Sequence, residues 1–401
     1  MKKRVVSGIR ASGDLHIGHY HGVIKHWIDL QSQYDCYFFI ADLHGLTTCY
    51  KNPNSIKPFV WNMLVDLFAC GINPNMCKIF IQSWISEHIE LFLLLSMITS
   101  LNWVEHVPSH KNQKQRNFLK KDFMTYGFLG YPILQSSDIL LYRADYVPIG
   151  EDQIAHIELT RKIVRKFNFL YKDNNLYIKH LIFKAIQNLK NNYSNYYIFL
   201  KKILQNNDGC KLINEIKLFL ANYKKFPLRV KQNLLNNFDV YRKKILNEPK
   251  AIIRHGFSKV LGTDGKKMSK SFHNTISLRE NLNDVKKKIF SMPTDPNRIK
   301  RYIPGNPGNC SVWQLHSIYS TDSLKEWIKS GCCSAKFGCV DCKKMIVDSI
   351  KKELFIIQEK IQFYQSKINL IKNIVIEHTE IAKKEARKTL DEIKIIMGLD
   401  Y

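Results

Sequence analysis

Apolar residues in the first 170 positions follow two rhythms. Residues 4–9, 36–40, 78–82 and 146–149 are short, nearly unbroken apolar runs rich in β-branched and aromatic side chains, the pattern of strands buried on both faces. Between them, 15 to about 33, 55–70, 87–98 and a segment opening at Tyr131 repeat their apolar positions every three to four residues and read as helices. Pro53 stands just ahead of the second helix and Gly71 just after it, where a helix start and stop are expected. A turn at 150–153 leads into a helix reaching about Phe167. Strands alternating with helices at this spacing predict an α/β fold, a doubly wound parallel sheet.

The rest of the chain has a different texture. From 171 to 250 it is rich in Lys, Asn and Tyr with weak helical periodicity, and reads as an inserted helical segment. Residues 251–280 return to the sheet-bearing part. From 281 to 401 the pattern is almost entirely helical, with amphipathic stretches at 282–290, 343–365 and 368–397, so the division expected is 1–170, 171–250, 251–280 and 281–401. The Lys-rich stretch 110–121 has little periodicity and reads as a solvated loop. No internal repeat and no Gly-x-Gly-x-x-Gly turn occurs.

Composition narrows the class. The chain carries 61 Lys and Arg against 35 Asp and Glu, a formal charge of +26, which favours a polyanionic partner as far as charge alone can. The N-terminus is basic but runs into Ser7-Gly8 without an apolar core or cleavage site, which speaks against secretion. The most apolar run, 91–97, is far too short to span a bilayer. Ten cysteines in 401 residues are no disulfide framework, and five lie between Cys310 and Cys342. A cytosolic protein with one metal or cluster site is expected.

Two segments carry the candidate chemistry. Leu15-His16-Ile17-Gly18-His19 follows a strand and a Ser12-Gly13 turn, so a helix start there presents backbone N–H groups and two imidazoles to phosphate. Lys267-Met268-Ser269-Lys270-Ser271 sets two lysines in a small-residue loop suited to a triphosphate. Tyr131, Gln135 and Asp138, at i, i+4 and i+7, put an aromatic, an amide and a carboxylate on one helix face, a poor core stripe and a good pocket wall. Taken alone, Asp138 also reads as a carboxylate stabilised at a helix N-terminus.

Together these segments resemble the class I aminoacyl-tRNA synthetases, and the chain is similar to the tryptophanyl-tRNA synthetases over nearly its whole length, most densely at 7–10, 41–44, 131–142 and 150–153. The resemblance implies a Rossmann-like catalytic domain in two pieces, a helical anticodon-binding C-terminal domain, ATP and Mg²⁺ as requirements, L-tryptophan and tRNA(Trp) as substrates, and a cytoplasmic homodimer. His16, His19, Lys267 and Lys270 would be catalytic. ATP would also meet Arg10, Ala11, Ser12 and Gly18 on one side. Gly150, Glu151, Asp152 and Val260 would hold its ribose and adenine, and Met268, Ser269 and Ser271 would complete the phosphate loop. One of Lys111, Lys114, Lys120 and Lys121 would reach the phosphates. Ala11 departs from the family, which commonly has Pro there.

For tryptophan, the resemblance implies that Asp138 accepts the indole N–H. Tyr131 and Gln153 would take the ammonium and carboxylate, with Val6, His44 and Val147 along the ring. Gln135 with Asp138 also resembles the tyrosyl enzymes, where such a pair holds a phenol hydroxyl. Other readings are a non-catalytic RNA-binding paralogue and a small nucleotidyltransferase sharing the His-x-Gly-His turn. Cys332-x6-Cys339-x2-Cys342, with Cys310 upstream, has the look of a four-thiolate site. Some tryptophanyl enzymes bind [4Fe–4S] with such a pattern; zinc and plain reduced thiols are the alternatives.

Overall fold

The computed structural model describes residues 2–107, 125–171, 245–253, 260–399 and 401, with a few isolated positions between 197 and 232. Strand β1 (Arg4–Arg10) leads into helix α1 (Ile17–His19), a π-helical turn (Tyr20–Ile24) and α2 (Lys25–Gln31). Then come β2 (Asp35–Ala41), α3 (Asp42–Cys49), α4 (Ile56–Cys70) and β3 (Cys77–Ile81). They are followed by α5 (Glu87–Ile98), α6 (Leu101–Glu105), α7 (Tyr126–Leu141), β4 (Tyr146–Ile149), α8 (Ile154–Tyr171) and β5 (Lys250–Ile253). The remainder is helical: α9 (Leu282–Ser291), α10 (Ser311–Tyr319), α11 (Asp322–Cys333), α12 (Cys339–Ser366) and α13 (Ile368–Ile396).

The five strands form one parallel sheet in the order β3-β2-β1-β4-β5. Because successive strand residues face opposite sides, Cys36, Phe38 and Ile40 enter one core and Tyr37 and Phe39 the other. The first core is closed by α4 and α12, the second by α5, α7 and α8. Helix α13 serves both, with Ile371 and Val375 in the first and Ala382 to Ile396 in the second. It crosses edge strand β3, whose Ile79 N–H donates to His378 Nδ1 at 3.1 Å and so does not go unpaired in the interior.

Strand order reverses at β1, the switch point where parallel sheets open a ligand crevice. There β1 and β4 pair only at Val5 and Tyr146. Pro148, two residues on, has no N–H with which to extend the ladder, and across from it Ser7 Oγ lies 3.5 Å from its carbonyl oxygen.

Three sequence expectations need correction. The helix expected from Leu15 begins at Ile17, because His16 is drawn into an antiparallel bridge with Ser277. The helix expected to open at Tyr131 starts five residues earlier, with Thr125 capping it by accepting from Phe128 N–H; Pro132, which looks like a first-turn proline, lies inside it. Asp138 is therefore near that helix's C-terminal end, and its reading as an N-terminal carboxylate fails. Gln82, read as the end of a strand, instead starts a 3-10 turn, Gln82–Trp84.

Candidate active site

The switch point opens into a cavity of about 440 Å³. Its walls include Val6 from β1, Val147 from β4, His44 from α3, and Tyr131, Gln135 and Asp138 from α7. Arg10, Gly150 and Gln153 stand at the same cavity's wall. The spacing that put Tyr131, Gln135 and Asp138 on one face thus faces them all inward.

Asp138 is buried at the base of this wall and is the most heavily bonded carboxylate of the site. Oδ1 accepts from His88 Nδ1 (2.6 Å) and Gln82 Nε2 (2.8 Å), and Oδ2 from His44 Nε2 (2.9 Å) and the same Gln82 nitrogen (2.9 Å). Burial alone would raise its pKa, but the hydrogen bonds from His44 and His88 outweigh it and bring the carboxyl down to about 2. Behind it, His88 Nε2 hydrogen-bonds the Tyr142 hydroxyl at 2.8 Å. Gln82 gives its amide N–H to the carboxylate, and among the described residues its Oε1 has no partner. Gln135 is turned aside: its Oε1 accepts from His156 Nδ1 at 2.6 Å, while the Tyr131 hydroxyl lies 3.4 Å from His156 Nε2.

The sequence reading did not single out Gln82, His88, Tyr142 and His156. The available signal was weak: a lone polar residue on the buried face of an apolar helix, as at His88, is as often a satisfied core group.

The two distant motifs meet through backbone. Ile17 N–H donates to Ile276 carbonyl (3.0 Å) and Leu278 N–H to Leu15 carbonyl (3.0 Å), which holds the chain just past the lysine loop against the start of α1. The imidazoles of His16 and His19 stack with centroids 3.7 Å apart. A Cβ on Gly18 would come within 2.9 Å of the His16 ring and 3.4 Å of Met268 Sδ, so this glycine makes room for both. Burial and the nearby Lys270 push His16 down to about 3, and burial with His16 and Lys270 holds His19 well below its usual range.

The lysine loop is a tight hairpin. Met268 N–H donates to Val260 carbonyl (2.9 Å), the turn passes through Asp264 and Gly265, and Gly265 takes a positive φ of 77°. Asn274 clasps it, accepting from Ser269 N–H (2.8 Å) and donating to Asp264 (2.7 Å) and the Lys267 carbonyl (3.2 Å). Lys270 Nζ donates to the carbonyl of Gly13. Lys267 Nζ lies 3.1 Å from Asp152 Oδ2; both side chains are more than half exposed, so the contact is weak and easily exchanged for a phosphate. Ala11, where the resemblance led to the expectation of Pro, donates its N–H to Ala41 carbonyl at 3.3 Å, a bond proline could not make. Glu151 is exposed on the turn before α8, and Lys111, Lys114, Lys120 and Lys121 lie outside the described residues.

Cys310, Cys332, Cys339 and Cys342 gather at the ends of α10, α11 and α12, where burial, reinforced by the neighbouring thiols, raises Cys342 to about 12. Cys342 Sγ lies 3.3 Å from His316 Nε2, and Cys332 Sγ 3.7 Å from an Arg298 guanidinium nitrogen. The donors suit a thiophilic group in kind, yet among the described residues no three His, Cys, Asp or Glu groups converge to hold an ion. The geometry therefore does not bear out a formed metal site.

The profile of the class I tRNA synthetases for W and Y matches residues 1–212 and 229–355. A tryptophan–tRNA ligase of Ralstonia nicotianae is 43% identical over 399 residues, covering 100% of this chain and 99% of its own. The chain belongs to the tryptophan–tRNA ligases. Another relative, the Thermotoga maritima tryptophan–tRNA ligase, is 35% identical across 99% of this chain and 100% of its own. The Campylobacter jejuni tryptophanyl-tRNA synthetase, solved with ADP and tryptophan, shares the fold with a TM-score of 0.70 at 24% identity, over 99% of this chain and 100% of its own. As a tryptophan–tRNA ligase the chain uses ATP to activate L-tryptophan and transfers it to tRNA(Trp), releasing AMP and diphosphate. The tyrosyl reading that Gln135 had left open, and the two non-ligase readings, are thereby set aside.

Proposed function

We propose that the β1/β4 cavity is the tryptophan pocket of this ligase and that the His16–His19 turn with the lysine loop forms its ATP site. The observation that carries the reading is a buried, ionised Asp138 on the wall of a largely apolar cavity at the switch point, with Lys270 reaching across to the Gly13 turn beside it. Val6 and Val147 border the indole ring and Asp138 takes its N–H, a donor that needs a partner once buried. Tyr131 and Gln153 hold the ammonium and carboxylate.

Activation is an in-line attack of the tryptophan carboxylate on the α-phosphorus of ATP, with diphosphate leaving. Negative charge builds on the equatorial oxygens and the leaving group, so the protein contributes donors and positioning, and no protein nucleophile is required. Neutral His16 and His19 offer N–H donors without having to gain a proton. Lys270 and Lys267 bring charge to the departing phosphates, Lys267 by leaving Asp152. Asp152 then turns to the ribose, with Gly150 and Glu151 on the same turn and Val260 near the adenine. Arg10, Ala11, Ser12 and Gly18 line the phosphate side, and Met268, Ser269 and Ser271 shape the loop. Mg²⁺, needed with ATP as the resemblance implies, would supply further positive charge to the phosphates that Lys267 and Lys270 meet.

In this reading residues 1–170 and 251–280 are the catalytic domain, 171–250 an insertion, and 281–401 the part that meets the anticodon. Ile89, Leu93 and Met97, four apart and exposed on α5, suit a homodimer surface. The cytoplasmic location follows the resemblance; separately, none of the described helices is long and apolar enough to cross a membrane. The cysteine group remains a proposal for [4Fe–4S] or zinc, tested by iron, sulfide and zinc analysis of the purified chain. The pocket is tested by tryptophan-dependent exchange between ATP and diphosphate, with tyrosine alongside and Asp138→Ala as the variant: loss of tryptophan exchange in the variant supports the assignment, and retention overturns it.

A further inference from the structure

A carboxylate offers about four acceptor positions, and those of Asp138 are filled before any substrate arrives. Two of its three donors cannot yield. Gln82 and His88 are fully buried, neither lines the cavity, and His88 is pinned from behind by Tyr142. His44 differs: it forms part of the cavity wall and its side chain is 13% exposed. A ligand donor entering through the cavity therefore approaches Oδ2 from the side that His44 holds.

We propose that His44 is a place-holder for the substrate's ring N–H, occupying Asp138 Oδ2 in the empty pocket and releasing that oxygen when the indole enters. The inference rests on reading this cavity as the tryptophan pocket. One N–H···O⁻ bond is exchanged for another, so the buried charge does not lose a donor in either state, and leaving it short would be costly. A ring without an N–H must either clash with His44 or dislodge it and put no donor in its place. Discrimination thus comes from a penalty on the wrong ligand more than from a gain for the right one.

The exchange has an unusual signature, because removing the place-holder strengthens binding. Tryptophan affinity of the full chain is measured by calorimetry for wild type, His44→Phe, which keeps a ring but has no donor, and His44→Gln, which keeps an N–H. We expect His44→Phe to bind tryptophan about tenfold tighter, as a hydrogen bond to a charged group implies, and His44→Gln to return toward wild type. In wild type, the ¹H–¹⁵N signal of the His44 Nε2–H moves on tryptophan addition. Weaker binding in His44→Phe, or an unmoved imidazole signal, would overturn the exchange. Asp138→Ala separates the two claims: if it abolishes tryptophan binding while the His44 signal of wild type does not move on tryptophan addition, the exchange alone fails, and if it binds normally the pocket assignment fails with it.

Discussion

Ile17 donates its backbone N–H to the carbonyl of Ile276 at 3.0 Å, and this short ladder joins the His16–His19 turn to the chain that follows the lysine loop. Leu278 N–H to Leu15 carbonyl doubles it. Because the link is backbone to backbone, the register of His16 against the lysine loop does not depend on any one side chain. What can still vary is the shape of the loop.

That shape depends on Asn274, whose amide makes three hydrogen bonds within the hairpin. Asn274→Ala leaves Ser269 N–H and the Lys267 carbonyl to water and loosens the loop. We expect kcat/KM for ATP to fall about tenfold or more, in keeping with the loss of one to two net hydrogen bonds, while tryptophan affinity changes little. Steady-state exchange kinetics with each substrate varied in turn check this.

Burial lowers Lys270 to about 8, helped by Arg10 and opposed by Asp14. In the free enzyme this lysine is charged below pH 8 and loses its charge as pH rises through that value. kcat/KM for ATP should therefore bend downward above about pH 8, and Lys270→Arg, always charged, should remove the bend even at reduced activity. His16, at about 3, contributes no loss between pH 8 and 5. A pH profile of wild type beside the Arg variant decides it.

Asp138→Asn preserves shape and reverses the chemistry of one atom. An amide NH₂ would face a donor from His44, His88 or Gln82, and three donors, two of them fully buried, would be left with too few acceptors. We expect a loss of about 2–4 kcal/mol in stability and at least about a 100-fold fall in kcat/KM for tryptophan. Denaturant unfolding and exchange kinetics measure the two effects separately.

His378 Nδ1 must be unprotonated to accept from Ile79, and burial lowers its pKa, with Lys78 acting in the same direction and Glu377 against it. A histidine lowered in the folded state contributes stability that is present above its unfolded pKa and is lost as pH falls below it. Thermal unfolding between pH 7.5 and 5.5 should show that loss. His378→Leu should be less stable by about 1 kcal/mol at pH 7.5 and should flatten the dependence.

Much of the fold was legible from periodicity. Helix α5 runs from Glu87 to Ile98, the limits its apolar spacing implied, and Gly71, with φ of 111°, ends α4 where the sequence has its glycine. The π turn at Tyr20–Ile24 left no mark, because a shifted backbone hydrogen bond needs no special composition. Gln82 was misread because the apolar run before it carries no sign of where the strand ends. The inward face of Tyr131, Gln135 and Asp138 was legible; that Gln135 is turned aside by His156 was not.

By itself, the sequence determined which segments are strands and helices, which of their faces are buried, and that two phosphate-suited motifs belong to one ligase. Those properties are local, since the rhythm of apolar residues reports only which side of an element is hidden. Tertiary structure alone decided that Asp138 is held by Gln82, His88 and His44, that Ile276 fixes the start of α1, and that His378 covers the edge of β3. Each is a hydrogen bond between residues far apart in the chain, and its partner is chosen by the register in which packed elements meet.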